Sequence, residues 1–224
     1  AKDKNSDVRH AVAENPSSPV SVLEGMANDA DLTIRQSVAI NPSTSKAVRE
    51  ALLEALANEN DARVRKSVAE NPSAPVSVLL ALAKDKDERV HRSVARNPSV
   101  PESVLEAFAN ESDPRIHLSI VESPSTPIAI RVAILEALAN DSAPWLRVRV
   151  GKNDLASQPL LVALSKDEDN DVRAAVASNL ATAPEVLVKL ASDRITEVVI
   201  AAVHNLQTPL SALTKLTSHK AVSV

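Results

Sequence analysis

The side chains best suited to chemistry in this sequence are histidines and clustered aspartates. The histidines are His10, His91, His117, His204 and His219, and there is no cysteine. His91 and His117 lie in matching sequence contexts, which at ordinary helix packing distances puts them roughly 10 Å apart. That is too far for easy sharing of a metal, and no third ligand accompanies them. Acidic pairs recur as Asp29-Ala30-Asp31, Asp85-Lys86-Asp87 and Asp167-Glu168-Asp169, but they fall where helix caps belong. There is no Gly-rich phosphate loop, nucleophile elbow or His-Glu zinc motif. Lack of cysteine excludes disulfides, thiol nucleophiles and cysteine-held clusters within the chain. The expectation is a protein without catalysis, metal or cofactor.

Binding chemistry is better represented. A basic row runs Arg9, Arg35, Arg65, His91, His117, Arg147, Arg173, each following an apolar residue. At about 100° per residue the row lies on the flank of a helix's core face. A structural brace against turn aspartates such as Asp29, Asp85 or Asp167 is its expected role. Two further columns are expected to be fully exposed. One is His10, Gln36, Lys66, Arg92, Leu118, Val148, Ala174, Ile200; the other is Glu14, Ile40, Glu70, Arg96, Glu122, Lys152, Ser178, His204. Lys66, Arg92 and Arg96 of these columns, with His91 and His117 of the basic row nearby, form a candidate basic patch for an acidic partner. Further along, Leu118, Val148 and Ile200, with Trp145 nearby, form a candidate apolar strip of the kind that marks interfaces.

What positions these columns is a repeat. Val8-Arg9-His10-Ala11-Val12-Ala13-Glu14-Asn15-Pro16 returns as Val64-Arg65-Lys66-Ser67-Val68-Ala69-Glu70-Asn71-Pro72. Its anchor recurs at Asn15, Asn41, Asn71, Asn97, Ser123, Asn153, Asn179 and Asn205, spaced 26 or 30 residues apart. Each copy reads as two short helices. The first starts after an N-cap such as Asp31, Asp61, Asp87, Asp113 or Asp169. It ends at the asparagine, expected to be a left-handed cap, and the following proline prevents continuation. Ser-Pro or Thr-Pro then opens the second helix.

Apolar columns with helical spacing line both helices: Ile34, Val64, Val90 and Val38, Val68, Val94 in the first, Leu53, Leu79, Leu105 and Leu56, Leu82, Phe108 in the second. Copies 2 and 5 carry four extra residues, about one helical turn. One Trp, one Phe, no Tyr and two Gly suit thin layers of closely packed helices. The result is an all-α fold, a solenoid of about eight two-helix repeats. Residues 1–224 read as a single repeat domain. The first residues match mid-repeat sequence and residues 221–224 read as the start of another copy, so the chain is expected to be a piece of a longer protein; the charged opening does not read as a signal peptide.

The motif Val-Arg-x-x-Val-Ala-x-Asn-Pro-Ser-x-Pro followed by Leu-x-x-Leu-Ala resembles the bacterial leucine-rich repeat variant family, itself similar to HEAT repeats. The resemblance implies a right-handed superhelix of paired helices, with 3₁₀ geometry an alternative to α for one helix of each pair. It implies no shared activity, and fold does not supply one. An iron–sulfur cluster known in the family is cysteine-bound and transfers to no residue here. The expected function is a cytoplasmic scaffold for a protein or peptide partner, without membrane association. Nucleic-acid binding along the basic row is the alternative, disfavoured by a net charge of −4 and the scarcity of stacking aromatics.

Overall fold

The computed structural model describes residues 3–218. His219 and the 221–224 segment, read above as the start of another copy, lie outside them. Within the described residues every regular element is an α-helix. The chain divides into two compact units, 1–127 and 128–224. The division falls between the two helices of the fifth repeat, next to Ser123, where the repeat's asparagine is missing.

The first unit holds α1 (Ser6–Glu14), α2 (Val20–Met26), α3 (Leu32–Ile40), α4 (Lys46–Leu56), α5 (Ala62–Glu70), α6 (Val76–Leu82), α7 (Glu88–Arg96), α8 (Glu102–Ala109) and α9 (Pro114–Glu122). The second holds α10 (Ile128–Leu138), α11 (Pro144–Gly151), α12 (Gln158–Leu164), α13 (Asn170–Ser178), α14 (Pro184–Leu190), α15 (Thr196–His204) and α16 (Leu210–Ser218). Both helices of each pair are α, so the 3₁₀ alternative is not taken. The lengthened copies give α4 and α10 eleven residues, against seven for α6 and α12. A whole added turn keeps the core face, and Leu53, Leu56, Leu135 and Leu138 stay buried.

The aspartate caps form as the spacing predicts. Asp31, Asp61, Asp87, Asp113 and Asp169 sit in extended conformation and accept from the backbone N–H two residues on. The asparagines do not behave as expected. Asn41 has φ −64° and ψ 127°, Asn97 and Asn179 are similar, and no described residue has a positive φ. The next residue is often proline, whose ring drives its predecessor into extended space. The Ser and Thr before the second helix differ from expectation too. They do not cap it; Ser18, Thr44 and Thr182 hydroxyls donate back to the carbonyls of Val12, Val38 and Val176 at 2.6–2.7 Å.

First helices pack closely in the pairs α1 and α3, α5 and α7, α7 and α9, α11 and α13, and α13 and α15, more so than second helices do; α3 and α5, spaced by the longer α4, do not. Small residues permit this: Ala39, Ala69, Ala95 and Ala177 are at most 1% exposed. At Gly151 a β-carbon would stand 3.2 Å from the Cβ of Ala175, so α11 and α13 nearly touch there. Packing of the first helices half-buries most of the column expected to be fully exposed: His10, Gln36, Lys66, Arg92, Leu118, Val148 and Ala174 are all intermediate, and Ile200 is exposed. The Glu14, Glu70, Arg96 and Lys152 column is exposed as expected.

Candidate functional site

Two ladders of polar side chains hold the repeats together. In the first, Asn41 donates its amide hydrogens to the carbonyls of Ala13 (2.7 Å) and Asn15 (3.0 Å) in the preceding repeat. Asn97 repeats this on Ala69 and Asn71, Asn179 on Gly151 and Asn153, and Asn205 on Ala177 and Asn179. Each amide thus satisfies a last-turn carbonyl that a helix end leaves without a partner. The same asparagines accept from the N–H two residues on, as at Ser43, Ser99 and Ala181, closing an Asx turn.

The second ladder is the basic row, and it is a brace. Arg65 donates from Nε and Nη2 to both oxygens of Asp85 at 2.6 and 2.9 Å. Its Nη1 donates to the carbonyls of Glu59 and Asn60, so one guanidinium ties the turn before its helix to the turn after the next. Arg9, Arg147 and Arg173 do the same with Asp29, Asp167 and Asp193. Arg35 reaches Glu59 instead, four residues further on because α4 is longer. Each arginine holds its aspartate below the usual carboxylate range, aided by a backbone N–H and opposed by burial. At an exposed cap, Arg63 pulls Asp61 down to about 2.

A carboxylate whose folded pKa is depressed contributes stability above its unfolded value of about 3.9, and that contribution fades as pH falls through the folded pKa. Urea midpoints should therefore be level from pH 7 to 5 and fall steeply below about pH 4. A midpoint constant down to pH 2.5 would contradict this account of Asp85, Asp167 and Asp193.

The candidate basic patch disperses. Lys66 pairs with Glu70 on its own helix, and Arg96 with Glu122 at 2.7 Å. His91 turns inward, its ring stacked on Phe108 at 5.4 Å and its Nδ1 3.7 Å from Glu111. His117 is half-buried, and its Nε2, like that of His91, is buried without a hydrogen-bond partner. Arg92 and Leu118 are half-buried in the same unit. No group of three or more potential metal-binding side chains occurs among the described residues.

Trp145 and Val148 come together in the second unit. They line a cavity of about 730 Å³ between α11 and α13, with Pro144, Arg149, Lys152, Asp169, Asp171, Ala174, Ala175 and Ser178. Pro144 occupies the first turn of α11, where its missing N–H costs nothing, and Trp145 follows it with half its surface exposed. Ile200, on α15, is 49% exposed but lies outside this lining. The sequence reading missed Asp169 and Asp171, because they stand a repeat away from Trp145 along the chain. The signal available was the one-repeat offset itself, which places the start of α13 beside the start of α11.

The family model described as leucine rich repeat variant matches residues 7–31 and 62–87, the first and third helix pairs. At those two helix pairs the chain matches the leucine rich repeat variant model. A solved structure described as a leucine-rich repeat variant with a novel repetitive structural motif is 24% identical to it. That alignment has a TM-score of 0.62 and covers 87% of this chain and 74% of that one, so the two share a fold. An engineered protein aligns over 99% of this chain and 80% of its own at 18% identity, with a TM-score of 0.41, too distant to bear on the leucine-rich repeat variant fold. No curated protein matches by sequence. No helix among the described residues is long and apolar enough to cross a membrane.

Proposed function

We propose that this chain is a non-catalytic binding module that receives a segment of a partner protein in the groove between α11 and α13. The observation that carries the reading is Trp145, the single tryptophan, left half exposed on the wall of a cavity of about 730 Å³. Cavities of roughly 300–1,000 Å³ are the size that accepts ligand groups, and tryptophan dominates binding hot spots. Val148, Ala174 and Ala175 supply apolar wall, and charged groups rim it, so apolar contact and orientation are both available. The nucleic-acid alternative gains nothing from the basic patch, whose Lys66 and Arg96 are paired with glutamates.

Trp145 is also the reporter. Peptides selected from a random display library against the whole chain should shift its fluorescence saturably, and Trp145→Ala should weaken them at least tenfold, the range of a hot-spot truncation of about 1.4 kcal/mol or more. Selected peptides that bind the alanine variant equally well and leave Trp145 fluorescence unchanged would sink this reading. Strong salt-dependent retention of the chain on DNA would favour the alternative.

A further inference from the structure

The groove has a charge polarity that its apolar wall does not require. The helices α11 and α13 are the first helices of successive repeats, so their starts lie side by side, as do their ends. At the starts are Trp145 and the carboxylates of Asp169 and Asp171; at the ends are Lys152, Arg149 and Ser178. Asp169 spends one oxygen on the N–H groups of Asp171 and Val172, while Asp171 is exposed. An indole beside carboxylates suits a cation, which gains from the ring quadrupole and from the negative charge together. The opposite end suits an anion.

We infer that the segment taken by this groove carries a lysine or arginine for the Trp145–Asp171 end and an aspartate or glutamate for the Lys152 end, about three residues apart in a polyproline-II peptide, whose three-residue turn keeps both side chains on one face. This rests on the groove being the binding site proposed above. The spacing follows from geometry. Trp145 and Lys152 are seven residues apart, or roughly 10 Å along a helix rising 1.5 Å per residue. A polyproline-II segment covers that in about three residues at 3.1 Å each and returns the side chain to the same face. The charges decide composition, and Val148 and Ala174 accept small apolar side chains between them.

The test uses the whole chain and a blocked hexapeptide of sequence Ala-Arg-Ala-Ala-Glu-Ala, read by Trp145 fluorescence. Binding should saturate. Replacing the peptide's arginine by glutamine should weaken it about fivefold, and replacing its glutamate about threefold. Asp171→Asn should weaken only arginine-bearing peptides, and Lys152→Gln only glutamate-bearing ones, with helicity by circular dichroism unchanged. Equal affinity for the neutral peptide, free arginine binding as tightly as the hexapeptide, or no saturation up to millimolar concentration would each overturn the inference. A neutral peptide that saturates the Trp145 signal leaves the groove standing as a site. Library-selected peptides that never perturb Trp145 remove the site itself.

Discussion

Asn179→Ala should destabilise the 128–224 unit by about 3 kcal/mol, read as a fall in its urea midpoint. The asparagine is 4% exposed, and its amide serves the carbonyls of Gly151 and Asn153 at 2.8 and 3.0 Å. Alanine strands both acceptors and also frees the N–H of Ala181, which the side-chain oxygen holds at 2.8 Å. Each buried polar group left without a partner costs about 1–3 kcal/mol, and partial relaxation keeps the total below the sum. Asn179→Asp discriminates between the two roles. It retains an oxygen for the Asx turn, yet sets a carboxylate against two carbonyls. Inter-repeat clamping predicts that aspartate at pH 7 is at least as damaging as alanine. An aspartate variant near wild type would reduce the ladder to a local turn.

Arg65→Met is expected to cost on the order of 2 kcal/mol, less than the 3–5 typical of a fully dry ion pair, because solvent at the edge of the stack screens it. Arg65 and Asp85 side chains are 9% and 7% exposed, so methionine leaves a nearly buried carboxylate facing apolar atoms. Arg65→Lys should recover less than half of the loss. The guanidinium meets Asp85 with two nitrogens while a third serves Glu59 and Asn60, and an ammonium at one point cannot match that fork. Full rescue by lysine would mean that charge alone matters. Denaturation of the two variants beside the parent at pH 7 decides it.

Much of the fold was legible because its signals are local. Asp61 before Val64 and Val68, or Asp87 before Val90 and Val94, specify a capped amphipathic helix without reference to anything distant. The asparagine was misread because two local rules compete at one residue. Left-handed caps favour asparagine, but proline at the next position forbids that conformation at Asn41 and Asn97. Asn179 and Asn205, followed by leucine, are extended as well, with their amides on the preceding repeat. The amide's partners lie 26 and 28 residues back, where no local rule looks. Exposure of Arg92 and Val148 was overestimated for a related reason. A single helix reveals its core face but not how many neighbours flank it.

The candidate site was legible in its apolar half alone. Trp145 and Val148 stand out in sequence as a large aromatic and an aliphatic where the first four copies carry polar groups. Their acidic counterparts are on the next first helix and looked like routine caps, which Asp169 also is. The basic patch failed because Lys66 and Arg96 are satisfied by Glu70 and Glu122, the first within its own helix and the second one repeat on.

The asparagine ladder also has a direction in time. Every rung runs from an amide in a later repeat to carbonyls in an earlier one. During synthesis the earlier repeat leaves the ribosome first, with its acceptors already fixed by a folded helix end. At Asn41, Asn97, Asn179 and Asn205 the new asparagine arrives at a prepared template, so at these rungs accretion can follow the order of translation. A chain begun from its far end would offer donors on a mobile turn and nothing rigid to receive them.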